Sequence, residues 1–266
     1  MAARIRSGAR DTVKSADRVL DVLELLADAG RLMTHAGIAE RTAIPKSSLT
    51  HLLRNLLRRG YVTRAPDESR YGLGDGAFAL ARRGQRVRAV VAVAQPLLEQ
   101  LTRETGESSA LSLLRGSVVE RVCSVNSTRA ILYSMHVGVR APLYAVSTGK
   151  VFLAWMAPEE REAYLARVKL EAVTPRTVAS VAALRRQLRT VREEGVAYSV
   201  GEFTQGIIGV AVPVNDGRGR AVAALGVALP AARFDERQKI ELTRALRGGA
   251  RTLAQQLRAL WPNAEF

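Results

Sequence analysis

The sequence predicts an α+β protein made of an N-terminal winged helix-turn-helix and a C-terminal sensor-like domain, joined by a linker helix. Within residues 15–75, three helical patterns are followed by a strand, a turn and a second strand, which is the order of a winged helix-turn-helix. From residue 95 onward, runs of strands occur with helices grouped between and after them, which indicates an α+β domain and not a doubly wound sheet. The 266 residues are 47% hydrophobic, enough for a core in each part.

The N-terminal part is expected to begin with a flexible basic arm, followed by helices whose ends carry capping residues. Ser15 and Thr34 can each accept a hydrogen bond from the first N–H groups of a helix, and Gly30 can end the first helix. Pro45 is tolerated in the first turn of the third helix, where its missing N–H is not needed. The expected elements are the arm 1–14, helices over 15–29 and 35–42, a helix from 45 that ends at Gly60, and strands flanking a turn at 66–69.

The third helix separates its leucines from a polar face that lacks acidic residues. Five leucines between residues 49 and 57 fall in one arc of a helical wheel, and no Asp or Glu occurs from 44 to 65. Hydroxyl, amide and guanidinium groups can bind base edges, whereas carboxylates would be repelled by phosphates. A solvated face usually carries charges of both signs, so we interpret this one as a DNA recognition face. The predicted DNA-contacting residues are Lys46, Ser47, Ser48, Thr50, His51, Arg54, Asn55 and Arg58 on the helix, with Arg59, Arg64 and Arg70 near or on the wing.

The C-terminal part is expected to follow a glycine-containing hinge near 74–84, where we place the domain boundary. The linker and dimerisation helix region is assigned to 76–94 and the sensor-like domain to 95–266. The periodicity of apolar residues predicts the helices and strands, and glycine or proline residues indicate where they end. The expected elements are a helix over 87–105, strands over 109–116, 117–125 and 130–137, helices over 146–157, 158–168 and 180–195, strands over 196–200, 207–214 and 221–230, and a final helix over 235–260.

The charge balance favours a polyanionic partner. The chain has 40 Lys and Arg against 25 Asp and Glu, a formal net charge of +15, and its pI is about 11.0. Nucleic acid is the commonest partner of such a chain and an anionic membrane surface is an occasional one, although an arginine-rich proteome would also leave excess Arg on every surface.

Composition also limits the kinds of site and location. Cys123 is the only cysteine, so an internal disulfide and a cysteine-based zinc site are excluded, and it is expected to be a buried small hydrophobe. The three histidines are not at metal-ligand spacing, and no metal, cofactor or catalytic residue is expected. The N-terminus lacks the apolar stretch of a secretory signal, and no apolar run approaches the ~18 residues of a membrane span. A cytoplasmic protein is expected.

Five motifs occur in two separate blocks of the chain. The first block contains SADRVLDVLELLA, IPKSSLTHLLRNLLRRGYV and YGLG, and the second contains APLYAVSTGKVFLAWM and EEGVAYSVGEFTQGIIGVAVPV. In this order they resemble the IclR family of bacterial transcriptional regulators, over about 15–260. The resemblance implies a winged-helix DNA-binding domain, a linker helix and an effector domain of GAF-like or profilin-like fold. It also implies dimers, often paired into tetramers, that bind palindromic operators and respond to small metabolites, frequently organic or aromatic acids.

The chain departs from the family pattern at a few positions. Val151 stands where alanine is usual, and Ser147 and Thr148 are polar where some members have small apolar residues. Gly201 and Glu202 stand where two acids are frequent. The effector is therefore not copied from any one member.

The segment STGK begins a helix and is not a phosphate-binding P-loop. Tyr144 stands where that motif needs its first glycine, and the lysine is not followed by Ser or Thr. The free N–H groups and the dipole at Ser147, Thr148 and Gly149 suit a carboxylate, although an ordinary N-cap would need no ligand.

The resemblance nominates Ser199, Val200, Gly209, Gly226 and Ala228 as further pocket residues, and Tyr133, Met135, Leu143 and Tyr144 are candidates for an apolar or aromatic wall. Taken singly, each of these also fits a plain core.

Three functions are consistent with these patterns. The first is a ligand-responsive transcriptional regulator that binds a palindromic operator and a small organic or aromatic acid. The second is a sequence-nonspecific architectural DNA-binding protein, and the third is an enzyme on a sensor-like fold, for which the sequence offers no converging catalytic groups. One recognition helix reads only a few base pairs, so a two-fold homodimer, or a homotetramer, is expected. Its candidate contact is the helix 78–94, with Leu80, Val87, Val90 and Val91.

Overall fold

The chain divides into two compact units, Met1–Arg86 and Val87–Phe266. The computed structural model describes residues 13–66 and 69–260. All but the last two residues of the expected basic arm, and residues 67–68 of the expected wing turn, lie outside the described residues. None of the helices in the described ranges is both long and apolar enough to cross a lipid bilayer.

The N-terminal unit has the expected three helices and hairpin, with one additional strand. The helices are α1 (Lys14–Ala29), α2 (His35–Thr42) and α3 (Lys46–Arg58), and the strands are β1 (Met33–Thr34), β2 (Val62–Arg64) and β3 (Arg70–Leu73). The strands pair antiparallel in the order β1-β3-β2. The sequence does not predict β1, because a two-residue strand has no periodicity of its own and exists only through its pairing with β3.

Two of the expected helix-end residues have the predicted roles, and a third does not. Thr34 caps α2 by accepting a hydrogen bond from the backbone N–H of Gly37 at 3.2 Å. Gly30 ends α1 in the left-handed conformation, with a φ of 58°. The prediction for Ser15 is wrong, because α1 begins one residue earlier, after Val13, and Ser15 lies inside the first turn.

The leucine stripe of α3 packs into the core of the N-terminal unit. Leu49, Leu53 and Leu56 are at most 6% exposed. They share one hydrophobic cluster with Val22 of α1 and Ile38 of α2. Burying one leucine side chain contributes about 1.5–3 kcal/mol. The stripe therefore fixes the rotation of α3 about its axis and leaves its polar face in solvent.

The segment expected to be a hinge begins a continuous helix, α4 (Asp75–Thr105). The N–H of Gly76 donates to the carbonyl oxygen of Gly60 at 2.8 Å. A Cβ on Gly74 would lie 2.4 Å from that same oxygen. These glycines therefore allow close backbone packing after the end of α3, and they do not provide flexibility. The division between the two units falls inside α4, after Arg86.

The C-terminal unit is built on one six-stranded antiparallel sheet with helices on both faces, so the α+β class is confirmed. The strands are β4 (Ser108–Arg115), β5 (Val118–Val125), β6 (Arg140–Pro142), β7 (Ala197–Val200), β8 (Ile207–Asn215) and β9 (Ala221–Pro230), in the sheet order β6-β5-β4-β9-β8-β7. The helices are α5 (Ser147–Trp155), α6 (Pro158–Arg167), α7 (Val181–Glu194) and α8 (Glu236–Leu260).

One expected strand, over 130–137, does not form. The segment lies in an irregular loop between β5 and β6. The Oδ1 of Asn126 accepts from the N–H of Met135 at 2.7 Å, and Arg121 Nη1 donates to the carbonyl oxygen of His136 at 3.1 Å. Because side chains bond these backbone groups, the segment has hydrogen-bond partners without pairing with a strand of the sheet.

The two faces of the sheet bury different kinds of side chain. On one face, Leu225 of β9 packs with Leu98 of α4 and Leu246 of α8. On the other face, α5, α6 and α7 pack against a cluster that includes the small residues Ala211 and Ala224. Small side chains leave space on this second face, where the cavity described below lies.

Candidate functional site

The polar face of α3 lies in solvent. Its exposed members are Lys46, Ser47, Thr50, His51, Arg54, Asn55 and Arg58, and Ser48 is half-buried. In the part of the chain that the structure describes, Arg54 has no hydrogen bond or ion pair. Such a guanidinium retains all its donors, and two of them can bind the edge of a guanine.

Three predicted DNA-contacting residues of α3 are already engaged within the unit. Thr50 Oγ1 donates to the carbonyl oxygen of Lys46 at 2.9 Å and lies 3.0 Å from Nε2 of His35. Asn55 Oδ1 accepts from Arg58 Nη2 at 3.0 Å. These bonds hold the side chains in fixed orientations on the helix surface. Sequence reasoning does not find His35, because its contact joins residues of two different helices.

The predicted wing cations are ordered by aromatic rings. Arg64 Nη2 donates to the hydroxyl of Tyr71 at 2.9 Å, and its guanidinium lies 5.3 Å from the Tyr71 ring centroid. The guanidinium of Arg59 lies 5.9 Å from the ring centroid of Tyr61. Arg70 is exposed at the start of β3. Cations in these positions suit phosphate contacts, which orient a protein on DNA without reading its sequence.

A cavity of about 70 Å³ lies in the C-terminal unit, on the sheet face that α5 covers. One water needs ~10–15 Å³ of such volume, so the cavity has room for several water-sized groups. Gly209, Gly226, Ala228 and Ala110 line it from the three adjacent strands β8, β9 and β4. The walls therefore combine a floor of small residues with the start of α5 and the loop before β6.

Mid-strand glycines let the start of α5 approach the sheet. A Cβ on Gly209 would lie 2.9 Å from Ser147 Oγ and 3.3 Å from Ser199 Oγ. A Cβ on Gly226 would lie 3.2 Å from Thr148 Cγ2. Within the described ranges, the backbone N–H groups of Ser147 and Thr148 have no hydrogen-bond partner. The start of α5 therefore presents free donors beside the cavity.

The structure brings together eight of the twelve predicted pocket residues, and these are Tyr133, Met135, Ser147, Thr148, Ser199, Gly209, Gly226 and Ala228. Leu143 and Tyr144 lie instead in the core around α5, where the Tyr144 hydroxyl donates to the carbonyl oxygen of Glu171 at 3.1 Å. Gly149 packs on backbone, since a Cβ there would lie 2.3 Å from the Leu143 oxygen. Val200 is 41% exposed, because strand alternation directs it away from the cavity face.

Two polar cavity residues are not found by sequence reasoning, Ser112 on β4 and Arg121 on β5. They face each other across the two strands, since the register shifts between Leu111 and Ser112 and Val122 has no partner. This bulge puts Arg121 on the cavity face, while Cys123, buried as predicted, joins the opposite core. Burial lowers the pKa of the Arg121 guanidinium, and the neighbouring Tyr133 partly offsets this.

Two family matches cover both units. Residues 85–255 match the family described as bacterial transcriptional regulator IclR C-terminal, which is more than half of the chain. Residues 15–66 match the IclR helix-turn-helix domain. The chain belongs to the IclR family. It is therefore a transcriptional regulator with a DNA-binding and an effector-binding domain, as the motifs predict.

Relatives with known names agree with this membership. The HTH-type transcriptional regulator XynR of Escherichia coli is 29% identical over 248 residues, which cover 92% of this chain and 97% of XynR. BhcR of Paracoccus denitrificans, also an HTH-type transcriptional regulator, is 30% identical over 249 residues, 93% of this chain and 89% of BhcR. The crystal structure of an IclR homolog complexed with 4-hydroxybenzoate, from Microbacterium hydrocarbonoxydans, has a TM-score of 0.61 and 28% identity, and covers 92% of this chain and 99% of that one.

In this IclR-family chain a buried ion pair fixes α5 beside the cavity. Lys150 Nζ lies 2.6 Å from Glu202 Oε1 and donates to the carbonyl oxygen of Tyr198 at 3.0 Å. Burial lowers the pKa of the Lys150 ammonium, and the attraction of Glu202 partly offsets this. The pair links α5 to β7 and to the turn after β7, which carries the cavity residue Phe203.

A second buried carboxylate fixes the loop between β5 and β6. The Glu107 side chain is fully buried and bonds Arg129 Nη1 at 2.9 Å. It also accepts two hydrogen bonds from Arg233, at 2.8 and 2.7 Å. Arg129 belongs to the loop that carries Tyr133 and Met135. The network therefore holds one wall of the cavity against the start of β4.

Proposed function

We propose that this regulator binds a palindromic operator as a homodimer or homotetramer, and that a small organic or aromatic acid in the cavity changes its affinity for DNA. The DNA part rests on the exposed face of α3, which carries only hydroxyls, amides, a histidine and cations. The residues that contact DNA are those named from the sequence on α3 and the wing. The protein works in the cytoplasm and is not an enzyme.

The acid effector is supported by the composition of the cavity and by a relative. Free N–H groups at the start of α5 and several hydroxyls line a largely apolar space, as a site for a small polar ligand requires. The related Microbacterium protein was crystallised with 4-hydroxybenzoate. An effector regulates DNA binding only if it binds two arrangements of the protein with unequal affinity.

Replacing Arg54 with alanine is expected to weaken operator binding by about 1–3 kcal/mol, because a guanidinium that reads a base is lost. Arg64→Ala is the matched comparison on the wing. It should weaken binding to operator DNA and to non-specific DNA alike. It should also lower the slope of log affinity against log salt by about one unit. Footprinting and salt titrations on both variants measure these effects.

Competitor DNA separates this proposal from an architectural protein held by charge alone. A specific regulator keeps its operator affinity in the presence of unrelated DNA, whereas a non-specific binder loses it. Unchanged operator affinity in Arg54→Ala would show that α3 is not the recognition helix.

A stable dimer is expected to form through the start of α4. Phe78 and Leu80 are 46% and 62% exposed there, and large apolar side chains in solvent suit an interface. Of the other predicted contacts, Val90 is 4% exposed in the core of the C-terminal unit and is not available. Light scattering at micromolar concentration should give at least twice the 28.8 kDa of one chain.

Leu80→Glu should shift that mass toward a single chain and reduce operator affinity, because two half-sites are no longer bound together. Val173→Glu, at a residue 44% exposed in the loop before α7, is the control and should leave the mass unchanged. A monomer with full operator affinity would contradict the symmetric arrangement.

A further inference from the structure

The cavity holds one charged side chain, and that side chain has no acidic partner. Among the described residues that line it, Arg121 alone is charged at neutral pH. Arg121 donates to the carbonyl oxygen of His136 but forms no ion pair with any described carboxylate. A half-buried charge without a counter-ion is unfavourable, and a bound anion would relieve it.

The cavity is also lined by serine hydroxyls that have no protein partner among the described residues. Ser112, Ser147 and Ser199 are 4%, 5% and 6% exposed, and all three line the cavity. None of their hydroxyls has a hydrogen-bond partner in the described part of the chain. Hydroxyls inside a protein are normally bonded, and these three open onto the cavity, so they can bond a polar group that enters it. Other buried serines of this unit, Ser109 and Ser127, are bonded within it.

These polar groups lie at two separate ends of the cavity. Ser112 is paired directly with Arg121 on neighbouring strands, β4 and β5. Ser147 and Ser199 meet over Gly209 of β8, three strands away from β5 in the sheet order. Between the two ends lie small, apolar positions of β9, which offer no hydrogen bond from a side chain.

We propose that Arg121, with Ser112, binds the carboxylate of the effector, and that Ser147 and Ser199 bind a second oxygen at the other end. The ligand is then a hydroxy or oxo acid, with its carbon frame over the small residues of β9. This inference rests on the proposed acid effector and specifies how that acid is held. It differs from the sequence-based expectation, which places the carboxylate at the start of α5. A full charge attracts a carboxylate more strongly than helix-end N–H groups do, which leaves those groups for the uncharged oxygen.

Calorimetry on the full chain with benzoate, 4-hydroxybenzoate and 4-hydroxybenzamide tests the arrangement. Wild type should prefer the hydroxy acid over both of the other probes. Arg121→Gln should weaken the binding of 4-hydroxybenzoate roughly 10- to 100-fold, because a hydrogen bond to a charged group is lost. It should also remove the preference for acid over amide. Arg121→Lys should retain that preference. Arg186→Gln, at an exposed arginine of α7, is the matched control and should change neither value.

The other end of the cavity is tested separately. Ser147→Ala and Ser199→Ala should each reduce the preference for 4-hydroxybenzoate over benzoate, by about 3- to 10-fold, and leave the acid-over-amide preference intact. Unchanged affinity and acid preference in folded Arg121→Gln would overturn the inference. Loss of acid preference in Thr148→Pro with its retention in Arg121→Gln would also overturn it, because the carboxylate would then lie at α5 and the proposed acid effector would stand. If neither acid binds wild type at millimolar concentration, both this inference and the proposed acid effector fail. The proposal of DNA recognition is not affected by that result, because operator binding tests it independently.

Discussion

Lys150→Met is expected to destabilise the protein by about 3–5 kcal/mol, because it leaves the buried carboxylate of Glu202 without its counter-charge. Lys150 is 1% exposed and Glu202 is 7% exposed, so solvent cannot replace the lost partner. One carboxylate oxygen of Glu202, Oε2, already has no hydrogen-bond partner. Urea unfolding of the full chain, followed by circular dichroism, measures the change in the free energy of unfolding.

An exposed ion pair gives the matched control. Arg185 and Glu162 are paired, but both side chains are 46% exposed, so Arg185→Met should cost less than about 1 kcal/mol. The double variant Lys150→Met with Glu202→Gln should recover much of the loss, since the unpaired buried charge is removed. A Lys150→Met variant as stable as Arg185→Met would show that the buried pair does not hold α5 in place.

Gly149→Ala is expected to destabilise the protein by about 3 kcal/mol through overpacking. The new Cβ would lie 2.3 Å from the carbonyl oxygen and 2.5 Å from the Cα of Leu143, and backbone atoms cannot rotate away. The start of α5 would have to move, and Ser147 and Thr148 would move with it. Thermal unfolding should show the loss, and acid binding should weaken in parallel.

Gly248→Ala, in the middle of α8, is the control for this substitution. Apart from the adjoining backbone of α8, no heavy atom of the described residues lies within 4 Å of the Cβ that it would add. Alanine there should stabilise the helix by about 0.5–1 kcal/mol, because glycine loses more backbone entropy on folding. The prediction for Gly149 fails if both variants change stability in the same direction by similar amounts.

Features determined by near neighbours in the chain were predictable. Thr34 as a cap, Gly30 as a left-handed helix end and the buried leucine stripe of α3 all follow from spacings of four residues or fewer. Of the expected strands, 130–137 alone does not form, because side chains such as Asn126 bond its backbone. The residue pattern of a strand indicates which side chains the segment can bury. It does not indicate which other segment its backbone pairs with.

The glycines also show which features depend on near neighbours in the chain and which depend on distant residues. Gly209 and Gly226 were nominated as pocket residues, and both line the cavity. Gly149 was expected to face a ligand, yet the neighbour that excludes a side chain there is the backbone of Leu143. A glycine in the sequence indicates a close approach, but only the fold identifies what approaches.

The sequence by itself determined the family, the two-part α+β architecture, the acid-free face of α3 and eight of the residues that line the cavity. Only the tertiary structure decided that Lys150 pairs with Glu202, fifty-two residues away, and that Arg121 belongs to the cavity. Without the bulge at Val122, Arg121 and Cys123 would share one face of β5. Periodicity records which residues lie on the same side of a regular element. Long-range pairing and register, which it does not record, decide which of those residues meet.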